Sequence, residues 1–219
     1  MTLTADLFFS FRSPYSYLSV GRYRAMADEY DLDIALRPVW PLAIREPDFF
    51  ERNHPNWLGY TMRDMIRVAQ VHAIPFGAPR PDPIVQDVKT RRIAKEQPHI
   101  RRVTRMGQAA ARRGRGVAFA HEAGRLIWGG QEGWNEGGHL AGALDRCGLD
   151  ADEIIAEIEK DADALDAEIA ANQDTLETAG HWGVPTLVFD GEPFFGQDRI
   201  EMAKWRMEQK GLSARHSAQ

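Results

Sequence analysis

One cysteine, Cys147, in 219 residues leaves no partner for an intrachain disulfide, so a disulfide framework and a dithiol centre within the chain are both excluded. No apolar run approaches the roughly 20 residues of a membrane-spanning helix. The N-terminal MTLTADLFF carries neither the basic segment nor the small-residue cleavage site of a secretory signal. Together these absences read as a cytoplasmic chain with no membrane partner. The seven histidines follow no H-E-x-x-H spacing and have no C-x-x-C beside them, so no metal site is indicated. His121, His139 and His181 read as structural or exposed. GGQEGWNEGG matches neither a phosphate-binding loop nor a dinucleotide fingerprint and reads as an interhelical loop. No internal repeat is visible.

What is present starts with charge. Residues 89–115 hold ten basic residues, among them Lys89, Arg91, Arg101, Arg105, Arg112 and Arg113, against one acid, Glu96. Residues 150–177 reverse the sign, with Glu153, Glu157, Asp166 and Glu168 among eleven acids against Lys160 alone. The basic stretch has no interleaved aromatics to stack bases, so a nucleic-acid partner is not expected. Two solvated helix faces are the preferred reading, and their complementary charge would also let them lie against each other.

Along the chain, TADLFFSF (residues 4–11) ends in an apolar run suited to a buried strand. Residues 14–30 read as a helix with Tyr15, Leu18, Tyr23 and Met26 inward, Ser13 as its N-cap and Pro14 at its first position. Residues 32–40 alternate as a second strand. From about 57 to 147 the pattern is helical, in segments that include 82–97, broken by the proline-rich PFGAPRPDP. One long acidic helix is expected over about 150–178. VPTLVFD and EPFF flank Asp190–Gly191, a strong hairpin signal. A last helix is expected with Asp198 as cap and its end at Gly211, and the final LSARHSAQ has little to bury and is expected to fray. The order β-α-β, helical insert, α-β-β-α is that of a thioredoxin-like α/β fold. It divides into residues 1–55 and 151–219 as the thioredoxin-like domain and 56–150 as an inserted helical domain.

SPYSYL, GVPT and FFGQDRI, with HPNWLGYTMRDMIRVAQVHAIPFGAP between them, resemble the kappa-class glutathione transferase group over most of the chain. Within that group the chain most resembles the 2-hydroxychromene-2-carboxylate isomerase branch, glutathione-dependent enzymes of the disulfide-oxidoreductase variant of the thioredoxin fold. A thioredoxin-type redox enzyme places Cys-x-x-Cys at a helix start, where free N–H groups and the helix dipole favour thiolate. Here Ser13 and Ser16 stand at the comparable positions. The anion-favouring geometry is kept, and the sulfur must come from a ligand.

The resemblance implies glutathione as cofactor and Ser13 as the catalytic residue, donating a hydrogen bond to the glutathione sulfur; a Ser–His–Asp hydrolase lacks its G-x-S-x-G elbow. It implies a cis Val184–Pro185 bond, with Val184 pairing the cysteinyl backbone of glutathione as an added strand. Gln197 and Asp198 would hold the γ-glutamyl end, Gln197 standing where relatives have Asn or Ser. Asn53 matches the asparagine near a proline that contacts substrate or glutathione, with Asn56 a competing assignment; the lysine that follows in the transferases is missing. Trp40, Trp57 and Arg63 are candidate pocket residues. The implied reaction is reversible thiolate addition to a small aromatic carboxylate, bond rotation and elimination, in aromatic-compound degradation. The alternatives are kappa-like glutathione transfer or peroxide reduction, and a non-catalytic thiol-ligand-binding protein. A homodimer is implied by the family alone, and Cys147 reads as a small buried hydrophobe.

Overall fold

The computed structural model describes residues 2–87 and 92–215, the side chains of residues 50 and 51 excepted. Lys89 and Arg91 of the basic stretch, and the last four residues of the tail, lie outside the described residues. Strand β1 (Leu3–Phe9) leads into helix α1 (Pro14–Glu29) and strand β2 (Leu32–Pro38), which pairs parallel to β1 in a register that sets Leu7 beside Leu36. Six helices intervene: α2 (Leu42–Arg45), α3 (Phe49–Arg52), α4 (Asn56–Val71), α5 (Pro98–Arg112), α6 (Gly116–Trp128) and α7 (His139–Arg146). Then come α8 (Ala151–Lys160), α9 (Ala162–Thr178), strands β3 (Thr186–Phe189) and β4 (Glu192–Phe195), a 3₁₀ turn (Gln197–Arg199) and α10 (Ile200–Glu208). The sheet order is β2-β1-β3-β4, with β3 antiparallel to β1. This is the expected thioredoxin-like arrangement with a helical insertion after β2.

The period of two in β1 sorts its apolar residues to both faces of the sheet. Leu7 and Phe9 join α1 and α10 in the main core, whereas Phe8 joins Val39 and Leu176 of α9 on the other face. The β3–β4 hairpin turns through Asp190 and Gly191, both at positive φ (52° and 78°), as an Asp-Gly turn allows. The main core runs continuously from the sheet into α5 and α6, through Val103, Met106, Phe119 and Ile127. Gly107 of α5 sits so close to Phe11 that a Cβ there would lie 2.6 Å from the phenyl ring.

The opposed charged faces meet. Arg105 binds Asp166 through two contacts of 2.7 Å, and Arg113 reaches Glu153 and Glu157 at 2.6 Å each. Arg112 spans Glu157 and Glu168. The pairing joins α5 to α8 and α9. Beneath it, buried Asn172 donates to the Pro38 carbonyl at 2.9 Å and to Gln108 Oε1 at 3.0 Å, tying α9 to the end of β2.

Four sequence expectations are corrected. The described parts of 82–97 are not helical: Gln97 turns its amide onto the Val85 N–H and C=O and the Ala94 carbonyl (2.8–2.9 Å), and Gln86 bridges Ile93. The acidic stretch is two helices, broken at Asp161. Asp198 makes no cap hydrogen bond; it lies in the 3₁₀ turn, and α10 ends at Glu208, before Gly211. The tail through Arg215 is anchored, with Asp31 N–H donating to the Ser213 carbonyl and Arg215 N–H to the Glu29 carbonyl, both at 2.9 Å.

Candidate active site

The first turn of α1 follows only four residues after β1, an apolar strand paired on both sides in the sheet, so its start is held in place from below. Ser13 is the N-cap, with extended φ and ψ (−91°, 114°), and its Oγ accepts the Ser16 N–H at 3.2 Å. Pro14 brings no N–H, and the Tyr17 N–H is taken by the Ser13 carbonyl at 3.2 Å. Among the described residues the Tyr15 N–H has no acceptor in the chain, which leaves it for an anion at the helix start. Ser16 is fully buried and, among the described residues, its Oγ has no partner. The two serines are therefore different: the hydroxyl at position 13 is partly accessible and the one at 16 is enclosed.

Both residues before Ser13 are fastened to the insert, a feature the sequence reading missed. The Phe11 carbonyl accepts from Trp128 Nε1 at 3.0 Å. Arg12 forms a two-point ion pair with Asp82 (2.5 and 2.7 Å) and lies 5.6 Å above the Trp128 ring. That ring is stacked on Phe76 at 5.9 Å.

Opposite Ser13 stands Val184, and the Val184–Pro185 bond is cis. Ser13 Oγ is 3.5 Å from the Val184 carbonyl, at the outer limit of a hydrogen bond. Among the described residues Val184 has no backbone partner. On the other side of α1, Arg22 donates to the Gln197 carbonyl at 2.9 Å and approaches its Oε1 at 3.4 Å. Asp198, exposed, pairs with Arg199 at 2.7 Å. Tyr15 donates its hydroxyl to Asp64 of α4 at 2.7 Å; burial, and then that hydrogen bond, push the phenol above its ordinary range.

The remaining candidates divide. Asn53 closes α3, donates to the Phe49 carbonyl at 2.6 Å and lines a cavity of about 390 Å³ with Glu46, Phe49, Arg52 and Trp182. Asn56 does not line it; its N–H donates to His54 Nδ1 at 3.2 Å. Trp57 meets Phe49 edge-on at 5.9 Å, outside the lining. Trp40 is also outside it, stacked under Arg101 at 5.2 Å, and Arg63 is exposed on α4. Trp182 and Arg52 were not anticipated; the clue was that Trp182 immediately precedes GVPT. Arg45 links two of these parts, donating to the Trp40 carbonyl at 2.7 Å and the Trp182 carbonyl at 3.1 Å. Cys147, at the end of α7, is buried, and burial pushes its thiol up to about 11. Among the described residues no group of His, Cys, Asp or Glu is placed to hold a metal ion, and no helix is long and apolar enough to cross a membrane.

A family model described as the DSBA-like thioredoxin domain matches residues 4–208. No curated protein matches the sequence. Among solved structures, the chain superposes on 2-hydroxychromene-2-carboxylate isomerase with a TM-score of 0.70 and 21% identity, over 95% of this chain and 96% of that one. A probable DsbA oxidoreductase from Streptomyces coelicolor gives 0.66 and 15%, over 94% and 89%. The cytosolic disulfide reductase DsbM from Pseudomonas aeruginosa, in its structure with glutathione, gives 0.62 and 19%, over 95% and 100%. At these identities the likeness is one of fold.

Proposed function

The chain belongs to the DSBA-like thioredoxin-domain family, and from that premise we propose that it is a glutathione-dependent isomerase of the 2-hydroxychromene-2-carboxylate type. The observation that carries the reading is Ser13: a hydroxyl at the helix start of a thioredoxin-like site, facing Val184 at 3.5 Å, in a chain whose single cysteine is elsewhere.

The residues present suit a thiol tripeptide. Ser13 Oγ already accepts the Ser16 N–H, so its own proton is directed outward, and the long contact to the Val184 carbonyl holds that proton only weakly. A sulfur anion at this point receives the Ser13 O–H and the Tyr15 N–H, both of which favour the ionised form. Val184, which has no backbone partner among the described residues, offers its edge to an extended peptide. Gln197 and Asp198 stand at the start of the 3₁₀ turn, where an amide and a carboxylate meet the carboxylate and ammonium of a γ-glutamyl end. Glutathione supplies, when bound, the nucleophile that adds to and departs from an electrophilic carbon of the substrate. The chain's own part is to hold that sulfur deprotonated, orient it, and seat a flat aromatic acid beside it. Asn53 faces the cavity where such an acid would lie.

In this reading residues 1–55 and 151–219 form the thiol-binding domain and 56–150 the inserted one. The enzyme works as a homodimer, for which Leu58, Met62 and Ile66, exposed at i, i+4 and i+8 along α4, supply the contact stripe; sedimentation at the monomer mass would contradict it. The test of function is turnover of 2-hydroxychromene-2-carboxylate followed by absorbance. We expect ring-opened product only when glutathione is added, with glutathione recovered unchanged. Product that retains the tripeptide would identify a transferase instead.

A further inference from the structure

This inference deepens the preceding reading and rests on it. Between α9 and β3 the chain runs His181, Trp182, Gly183. The His181 imidazole is 4.5 Å from the Trp182 ring at an interplanar angle of 12°, and 4.0 Å from the Phe195 ring at 20°. Two rings this close and this nearly parallel to one small ring must occupy its opposite faces. The three form a single stack, with Trp182 at one end.

Three features hold the stack rigid. A Cβ on Gly183 would lie 2.6 Å from Phe195 Cε2 and 3.0 Å from His181 Cε1, so only glycine lets the rings close up. The Gly183 N–H donates to His181 Nδ1 at 2.9 Å, which fixes the imidazole as the Nε2–H tautomer. Arg45 holds the Trp182 carbonyl at 3.1 Å. The end of the stack is uncovered: Trp182 is 49% exposed, and it lines the 390 Å³ cavity, whose rim carries Arg52 and Glu46 paired at 3.3 Å. A pre-oriented aromatic face beside a cavity of ligand size, two residues ahead of Val184, is built to receive another flat ring.

We propose that Trp182 is the acceptor-binding residue: the ring of a planar conjugated aromatic carboxylate stacks on it as a fourth layer, and Arg52 exchanges Glu46 for the ligand carboxylate. The aromatic requirement then comes from the stack, and the acid requirement from the rim. Glutathione is held elsewhere, by Ser13 and Val184.

The probes are trans-cinnamate, its amide, and cyclohexanepropionate as a non-planar acid, titrated calorimetrically with and without glutathione. Wild type should bind cinnamate well above the non-planar acid. Trp182→Leu should weaken cinnamate about tenfold, the order expected for one lost ring pair, and Trp182→Phe about threefold. Arg52→Gln should weaken cinnamate and leave the amide unchanged. Glutathione affinity should be the same in all four proteins. Equal cinnamate binding by wild type and Trp182→Leu would overturn the proposal, as would no preference for the planar acid. If wild type binds cinnamate through Trp182 but does not bind glutathione, the platform stands and the glutathione reading falls.

Discussion

Arg12 and Asp82 are seventy residues apart in the chain and joined by two hydrogen bonds, Nε to Oδ1 at 2.5 Å and a terminal nitrogen to Oδ2 at 2.7 Å. Asp82 is itself oriented by the Ile84 N–H, which donates to Oδ1 at 2.9 Å. The pair fixes the residue immediately before Ser13 to the non-helical segment between α4 and α5. With the Trp128 bond to the Phe11 carbonyl, it makes the position of the Ser13 hydroxyl depend on segments far away in sequence. A two-point pair of this kind, partly exposed, contributes on the order of 1 kcal/mol. If that energy is expressed in the alignment of Ser13, Asp82→Asn should lower kcat/KM about fivefold, and steady-state kinetics at saturating glutathione checks it. Arg12→Lys keeps the charge but not the fork, and should give an intermediate loss.

Cys147 should be a spectator. Its thiol is buried and pushed up to about 11 by that burial, so little thiolate exists at neutral pH and reaction with an aromatic disulfide reagent should be slow until the protein is unfolded. Cys147→Ala should retain full glutathione-dependent turnover. Loss of activity in that variant would mean that a protein thiol takes part.

The aromatic stack gives stability a pH dependence. Burial holds His181 below the ordinary histidine range. Below about pH 6.5 the unfolded chain takes up a proton that the folded chain still refuses, so the folded state loses stability as pH falls from there to the lowered folded value. Above that window the residue has no effect. His181→Phe keeps three rings and removes the titration, so its Tm should fall less than that of wild type between pH 6.5 and 5, as differential scanning calorimetry can measure.

Asn172 tests the joint between α9 and the sheet. Both its hydrogen bonds are buried, and Asn172→Leu leaves the Pro38 carbonyl and Gln108 Oε1 without their donor. The expected cost is about 1–3 kcal/mol in denaturant unfolding, with glutathione affinity unchanged.

Much of the frame was legible because local signals agreed with it. The apolar run through Phe8 and Phe9 made a strand, Ser13–Pro14 a helix start, and Asp190–Gly191 a hairpin. The misreadings came where a local pattern was overruled from a distance. Residues 82–97 space their apolar side chains as a helix would, yet the Gln97 amide satisfies the backbone of Val85 and Ala94 in place of helical bonds. The acidic stretch breaks at Asp161 with no glycine or proline to mark it. At the candidate site, Ser13, Val184 and Asn53 could be named from motifs. Trp182, Arg12 and Arg45 could not, because their roles arise from partners brought together only by the fold.

Everything turns on whether Ser13 keeps a bound thiol ionised. Titrating the 240 nm thiolate absorbance of protein-bound glutathione against pH, in wild type and Ser13→Ala, measures this directly. A hydrogen bond to a charged group is worth roughly 1.5–3 kcal/mol, which corresponds to about one to two pH units. We predict that wild-type glutathione ionises well below the ordinary thiol range and that Ser13→Ala moves the midpoint up by about that amount while glutathione stays bound. The same midpoint in both proteins would contradict the account.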